Sequence, residues 1–315
     1  MTVTVLGPQR RPTVRPIAGA AATVTAGWRE REGDDAELDS LLGGGTVNLR
    51  LYARWLDILD ADSELANAEL NHRAVLDELQ ELYAVQVEHA EQAAAAIRRS
   101  SSRPRTRTAV LTDTEAALRL LDERHLERVA AARADFEAAW RPAERDVVAR
   151  HRAEVDGVLE QAETMVLTGG HVGVLLHVLR LFAVTPPADV LAWSAGAMAL
   201  TDRVVLFTDG RAEAYAPGLG LIKDTVLLPH ARRRLPVDDP ARLGALARRF
   251  APARSVVLDD GATLATSRTI EPDGRLAAPA DPRTTGQPAD RTTEEPADPR
   301  TTEEPADRST NGEPA

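Results

Sequence analysis

Val190-Leu-Ala-Trp-Ser194-Ala-Gly-Ala-Met-Ala199 is an apolar run that reaches a serine and continues as small residues compatible with a helix. A strand feeding a helix through a serine with small neighbours has the form of a nucleophile elbow, a backbone turn so sharp that Oγ projects into a crevice. Ala195 and Gly196 meet that steric demand, and the first helical N–H, on Ala195, would face a developing oxyanion. Ala192 stands where the G-x-S-x-G pattern has its first glycine. Taken alone, the run is explained as well by a tight strand-to-helix turn.

Working outward, Leu167-Thr-Gly169-Gly170-His171 ends an earlier apolar run with two glycines before a helical stretch, the arrangement a second oxyanion donor needs. Later, Phe207-Thr-Asp209 ends one run with an acid and Leu228-Pro-His230 ends another with a histidine. Ser194, Asp209 and His230 thus follow successive strands as candidates for a triad, in which the histidine takes the serine proton and the acid holds the imidazole tautomer. Asp202, also downstream of the serine, is the competing acid. The runs Met165–Leu167, Val190–Ala192, Val204–Phe207, Val226–Leu228 and Ser255–Leu258 alternate with helical stretches at Val172–Leu181 and Pro240–Phe250, predicting an α/β layered sheet. Ligands of such sheets sit at the strand C-termini.

Gly-Gly before a helix, Trp-Ser-Ala-Gly-Ala, Thr-Asp, Pro-His and the late Leu258-Asp-Asp-Gly261 turn resemble peptidase E and its cyanophycinase relatives over residues 164–262. The resemblance implies a class I glutamine amidotransferase-like fold with serine in place of the cysteine nucleophile. It implies Ser194 as nucleophile, His230 as base, Asp209 as orienting acid, and the backbone of Gly169, Gly170 and Ala195 as the oxyanion hole. Substrate contacts are expected from His171, Trp193 and Arg242; Arg232, Arg233 and Arg234 are further cations for a substrate carboxylate, or a solvated helix face. Two departures stand out: His171 occupies a position where the family has Asn or Asp, and peptidase E has no counterpart to residues 62–140. The expected activity is a cytoplasmic serine peptidase or amidase acting on a small peptide or amide through an acyl-enzyme. A regulatory, non-catalytic domain that binds a ligand is the competing reading.

Composition narrows the classes. The 315 residues include no cysteine, so a disulfide framework, a thiolate metal site and glutamine amidotransfer by the usual route are excluded. Lys223 is the single lysine and no G-x-x-x-x-G-K run occurs. Aromatic residues make up 3% of the chain and no basic stripe accompanies them, which argues against nucleic acid. Val172–Val184 is interrupted by His177 and Arg180, so no membrane span is expected. Neither a cofactor nor a metal is expected: His72, His89, His125 and His151 lack H-E-x-x-H spacing or a paired carboxylate.

Along the chain, residues 1–17 read as a flexible arm, with Pro8, Pro12 and Pro16 among arginines. Ile17–Ala26 faintly imitates a signal peptide, and a first buried strand at Ala22–Ala26 explains it as well. Residues 18–61 open the α/β domain, and Gly43-Gly44-Gly45 marks a loop. Residues 62–142 carry two helical patterns, Leu76, Leu79, Tyr83, Ala90, Ala94, Ile97 and then Leu118, Leu121, His125, Ala132, Phe136, Ala139, separated by Ser100–Thr108. They predict an inserted antiparallel hairpin with one coiled-coil-like seam, able to dimerise with a second copy or to cap a site. Residues 143–270 hold the hydrolytic core. Residues 271–315 repeat Pro-Ala-Asp units, carry 11 acids and 5 arginines of a chain with net charge −11, and are expected to be disordered.

Overall fold

In the computed structural model, the described residues are 1–9, 13–208, 211–235 and 237–279. The chain is mixed α/β. Strands β1 (Thr2–Leu6) and β2 (Ala21–Val24) precede helix α1 (Ala36–Leu42), β3 (Val47–Asn48) and α2 (Leu51–Ala61). Two long helices follow, α3 (Ser63–Arg99) and α4 (Pro104–Trp140), and then α5 (Asp146–Leu159). The remaining elements are β4 (Thr164–Leu167), α6 (Val172–Leu181), β5 (Asp189–Trp193), α7 (Ala195–Leu200), β6 (Arg203–Thr208), β7 (Arg211–Pro217), β8 (Thr225–Pro229), α8 (Ala231–Arg234), α9 (Pro240–Phe250), β9 (Arg254–Leu258), β10 (Arg268–Ile270) and β11 (Leu276–Ala277).

A parallel strand buried on both faces reads as an unbroken apolar run, which is why β4 and β8 are buried at every position. The strands divide among three sheets. Five parallel strands run in the order β1-β5-β4-β2-β3; β11-β10-β9-β8 form a second sheet and β6-β7 a hairpin. Packed on the first sheet, α6 and α7 contribute Leu175, Leu176, Val178 and Ala197 to the main core. Buried Glu32 accepts the N–H groups of Tyr52 and Ala53 at 3.0 and 2.9 Å, so a carboxylate caps the start of α2 where the helix has unpaired donors.

Three boundaries differ from the sequence reading, the first being that α4 begins at Pro104, inside the expected break at Ser100–Thr108. Residues 2–6 are not part of an arm: they form β1, paired with β5 from Thr2↔Asp189 to Leu6↔Trp193. The tail does not begin at 271, because β11 pairs antiparallel with β10 and the Glu271 N–H donates to Arg275 O at 2.9 Å. Residues 280–315, with most of the repeats, lie outside the described residues. Among the described residues no helix is long and apolar enough to cross a membrane.

The two helices of the 62–142 segment are each about 55 Å long at 1.5 Å per residue. Asp62 caps α3 by accepting the Leu65 N–H at 2.9 Å, and Pro104 stands at the first turn of α4, where a missing N–H costs nothing. Their inner face is not a plain apolar seam. Tyr83, Asp122 and His125 are buried there, and the hairpin packs on β7 and α9 of its own chain. His125 is 1% exposed, stacks on Tyr83 at 4.1 Å and lies 3.0 Å from Gln80 Oε1 through Nε2.

Burial pushes the His125 pKa down from 6.5 to about 4. The unfolded chain therefore binds this proton more readily than the folded one. Its contribution to stability is complete above about pH 6.5 and is lost as pH falls toward about 4, roughly 2–3 kcal/mol over the window. Urea midpoints at pH 7.5 and 4.5 should separate less in His125→Gln than in wild type. Equal separations would assign the acid sensitivity to other groups.

Candidate functional site

The C-terminal ends of the adjacent strands β4 and β5 bring together Gly169, Gly170 and His171 with Ser194 and Ala195. Ser194 follows β5 and adopts φ 50°, ψ −120°, a conformation costly for any residue with a side chain. Its hydroxyl makes no capping bond to α7, so the strain serves no local helix cap. Small residues fit around it because nothing larger can. A Cβ on Gly196 would lie 2.5 Å from Leu167 O and 2.6 Å from Thr168 O, and the Gly196 N–H donates to Thr168 O at 2.9 Å. A Cβ on Gly169 would lie 3.1 Å from Ser194 Cβ. Gly170, at φ 112°, passes so close to Gly27 that a Cβ would stand 2.2 Å from Gly27 O. Overpacking against backbone should make Gly196→Ala less stable by about 1–3 kcal/mol in chemical denaturation. Gly44→Ala, with nothing within 4 Å of the added carbon, should register only the cost of its positive φ.

The His171 N–H is taken by Gly27 O at 2.8 Å. The Gly170 N–H has no backbone acceptor among the described residues, and the Ala195 N–H is in the first turn of α7, where helices leave donors unpaired. His171 caps α6, its Nδ1 accepting the Val174 N–H at 3.2 Å, which puts the ring proton on Nε2. Burial first, then the charge of Arg29, lowers its pKa, so the ring is a neutral donor. Arg29, at a kink within the 3-10 segment Ala26–Arg31 after β2, shares the strained geometry of Ser194 at φ 60°, ψ −123°. Nothing in the sequence marked it.

His230 follows β8 at φ 60°, and its N–H donates to Leu258 O at 3.3 Å. Its strand belongs to a different sheet from that of Ser194, and two links connect them. First, α7, which begins just after Ser194, packs against β8. Second, Leu6 pairs with Trp193 on one side and bridges Thr263 on the other, and the Gly7 N–H donates to Ala262 O at 2.7 Å, tying β5 and β1 to the turn after β9.

Of the two acids, Asp209 lies outside the described residues. Asp202 is at the wrong end of β8: its carboxylate accepts the N–H of Asp224, which precedes the strand, whereas His230 follows it. Five residues at 3.3 Å each separate the two ends by about 17 Å. The β8–β9 register, Pro229↔Leu258, instead brings Asp259 beside His230. Asp259 sits 3.4 Å from both Arg232 Nε and an Nη of Arg268. The Leu258-Asp-Asp-Gly261 turn was visible in the sequence; its lateral neighbour was not.

Two expected substrate contacts fall elsewhere. Trp193 is 7% exposed and packs with Leu38, Leu42 and Val166, because successive strand side chains alternate faces and its own points into the core under α1. Arg242 begins α9 and lines a cavity of about 420 Å³ with Glu91, Glu115 and Arg249, between α9 and the hairpin, whose walls include neither Ser194 nor the Gly169–Gly170 loop. A larger cavity, about 680 Å³, does reach that loop. It is bounded by Gly170 and His171 on one side and by α3 and α4 on another. No family model matches the chain, and no curated protein is significantly similar to it.

Proposed function

We propose that the chain is a cytoplasmic serine-nucleophile hydrolase of class I glutamine amidotransferase-like architecture, similar to peptidase E, that cleaves a small peptide or amide through an acyl-enzyme on Ser194. The observation that carries this reading is the strained, uncapped Ser194 at a strand-to-helix turn, with Gly169 against its Cβ and Gly196 pressed on the backbone of Leu167 and Thr168. In this reading Ser194 Oγ attacks the carbonyl carbon as His230 takes its proton, and the N–H groups of Gly170 and Ala195 receive the negative charge that builds on oxygen. His230 then protonates the departing amine, and water releases the acyl group by the same route in reverse. The orienting acid is Asp209 or Asp259; register favours Asp259.

The test is covalent labelling by phosphonate and acyl probes with mass mapping. Label is expected on Ser194, lost in Ser194→Ala and strongly slowed in His230→Gln. Asp259→Asn should slow it as well if that carboxylate orients the imidazole. Absence of label across the panel would favour a ligand-binding domain without catalysis.

A further inference from the structure

The cavity that the hairpin closes over α6 contains polar groups that the serine chemistry does not use. It holds about 680 Å³, within the range of small-molecule sites, and its wall takes Glu69 and His72 from α3, Arg133 and Phe136 from α4, and His177 and Arg180 from α6. Glu69 is 2% exposed; one carboxylate oxygen, Oε2, accepts the Trp55 indole N–H at 2.6 Å and lies 3.3 Å from His177 Nε2, and the other, Oε1, is buried with no partner. Arg133 Nε and Arg180 Nη1 are likewise buried and unpaired. Arg180 is pinned through its other Nη, which donates to Pro217 O, so Nη1 is held in place without an acceptor. Burial lowers the Arg133 pKa and no carboxylate offsets it, although Asp77 and Glu137 line the same cavity.

A buried donor or acceptor left unmatched costs about 1–3 kcal/mol, more when charged, so a site that keeps two guanidinium donors and one carboxylate oxygen unmatched is complementary to a ligand bearing both signs. A simple anion would satisfy the guanidinium groups and be repelled by Glu69; a simple amine would do the reverse. Trp55, Leu76, Phe136 and Leu206 complete the wall with apolar surface. We propose that this cavity binds a zwitterion of the free amino-acid type with an apolar or aromatic side chain, its carboxylate on Arg133 and Arg180 and its ammonium on Glu69. The hairpin is then a binding element as well as a cover. Because the recognition does not involve Ser194, the site stands whether or not the serine is catalytic.

The experiment is titration calorimetry on the full chain and on Ser194→Ala, using phenylalanine and leucine beside phenylalaninamide and N-acetylphenylalanine. Saturable binding of a free amino acid is expected in both proteins, at least tenfold weaker when either terminus is blocked. It should also weaken at least tenfold in Arg133→Gln, and in Arg180→Lys, which keeps the charge while changing the donor geometry. Failure of both free amino acids to bind overturns the proposal. So does equal binding of N-acetylphenylalanine, or affinity unchanged in both arginine variants.

Discussion

Arg249→Met should cost about 3–5 kcal/mol of folding stability, because it leaves a buried carboxylate without its counter-charge. Arg249 is 3% exposed and Asp122 is fully buried. Two guanidinium nitrogens meet the two Asp122 oxygens at 2.8 and 2.7 Å, the remaining terminal nitrogen reaches Glu91 at 3.0 Å, and the Tyr83 hydroxyl donates to Asp122 at 2.6 Å. The Ala214 N–H donates to that same hydroxyl at 2.9 Å. One network therefore joins α3, α4, β7 and α9. Burial alone would lower the Arg249 pKa, but Asp122 outweighs it and holds the guanidinium charged. Burial, followed by the Asp122 charge, drives the Tyr83 pKa upward, so its hydroxyl keeps the proton that it donates. Breaking one member exposes the desolvation cost of the others, whereas replacing the pair together need not. Arg249→Met with Asp122→Leu should accordingly recover most of the loss in urea denaturation. A single-variant cost below about 1 kcal/mol would mean that the network is not what fastens the hairpin to the sheet domain.

That network also marks the limit of what periodicity discloses. Helical spacing put Tyr83 and His125 on the inner faces of α3 and α4, where both are found. Asp122, four residues after Leu118 and three before His125, shares that face by the same spacing, but spacing could not show its partner 127 residues later, since pairing of that range is not a periodic property. The same asymmetry runs through the sheets. Strands β4, β5, β8 and β9 are short apolar runs bounded by turn residues and were legible at once. Strand β7 was not, because its inward positions are Ala212, Ala214 and Ala216, too small to stand out as a buried row. Thr2-Val-Thr-Val-Leu6 alternates as an edge strand should, yet it precedes a proline-rich stretch and owes its order to β5, far along the chain. At the site, Ser194 was legible because an elbow is a local device, made by the serine and its immediate neighbours. The place of Asp259 beside His230 and the exclusion of Asp202 depend on which strands are adjacent, and on which end of β8 each acid meets.

Ser194→Gly should separate a nucleophile from a structural turn, moving labelling and stability in opposite directions. Glycine adopts φ 50°, ψ −120° without the steric penalty that serine bears, a relief of order 1–2 kcal/mol against some loss to the greater freedom of the unfolded chain. The variant should thus be at least as stable as wild type, by about 1 kcal/mol at best. Ser194→Ala keeps the Cβ and the strain, so its stability should stay near wild type. In both variants probe labelling should vanish, and turnover of any substrate found should drop by several powers of ten, leaving only what binding and the Gly170 and Ala195 donors supply. A residue held in a costly conformation, with its hydroxyl unused by the helix it precedes, is expected where the hydroxyl has chemistry to do. If Ser194→Gly proved markedly less stable than wild type, the hydroxyl would have a structural partner after all. Loss of labelling with stability preserved or raised would instead identify the strain as the cost of presenting a reactive oxygen at this edge.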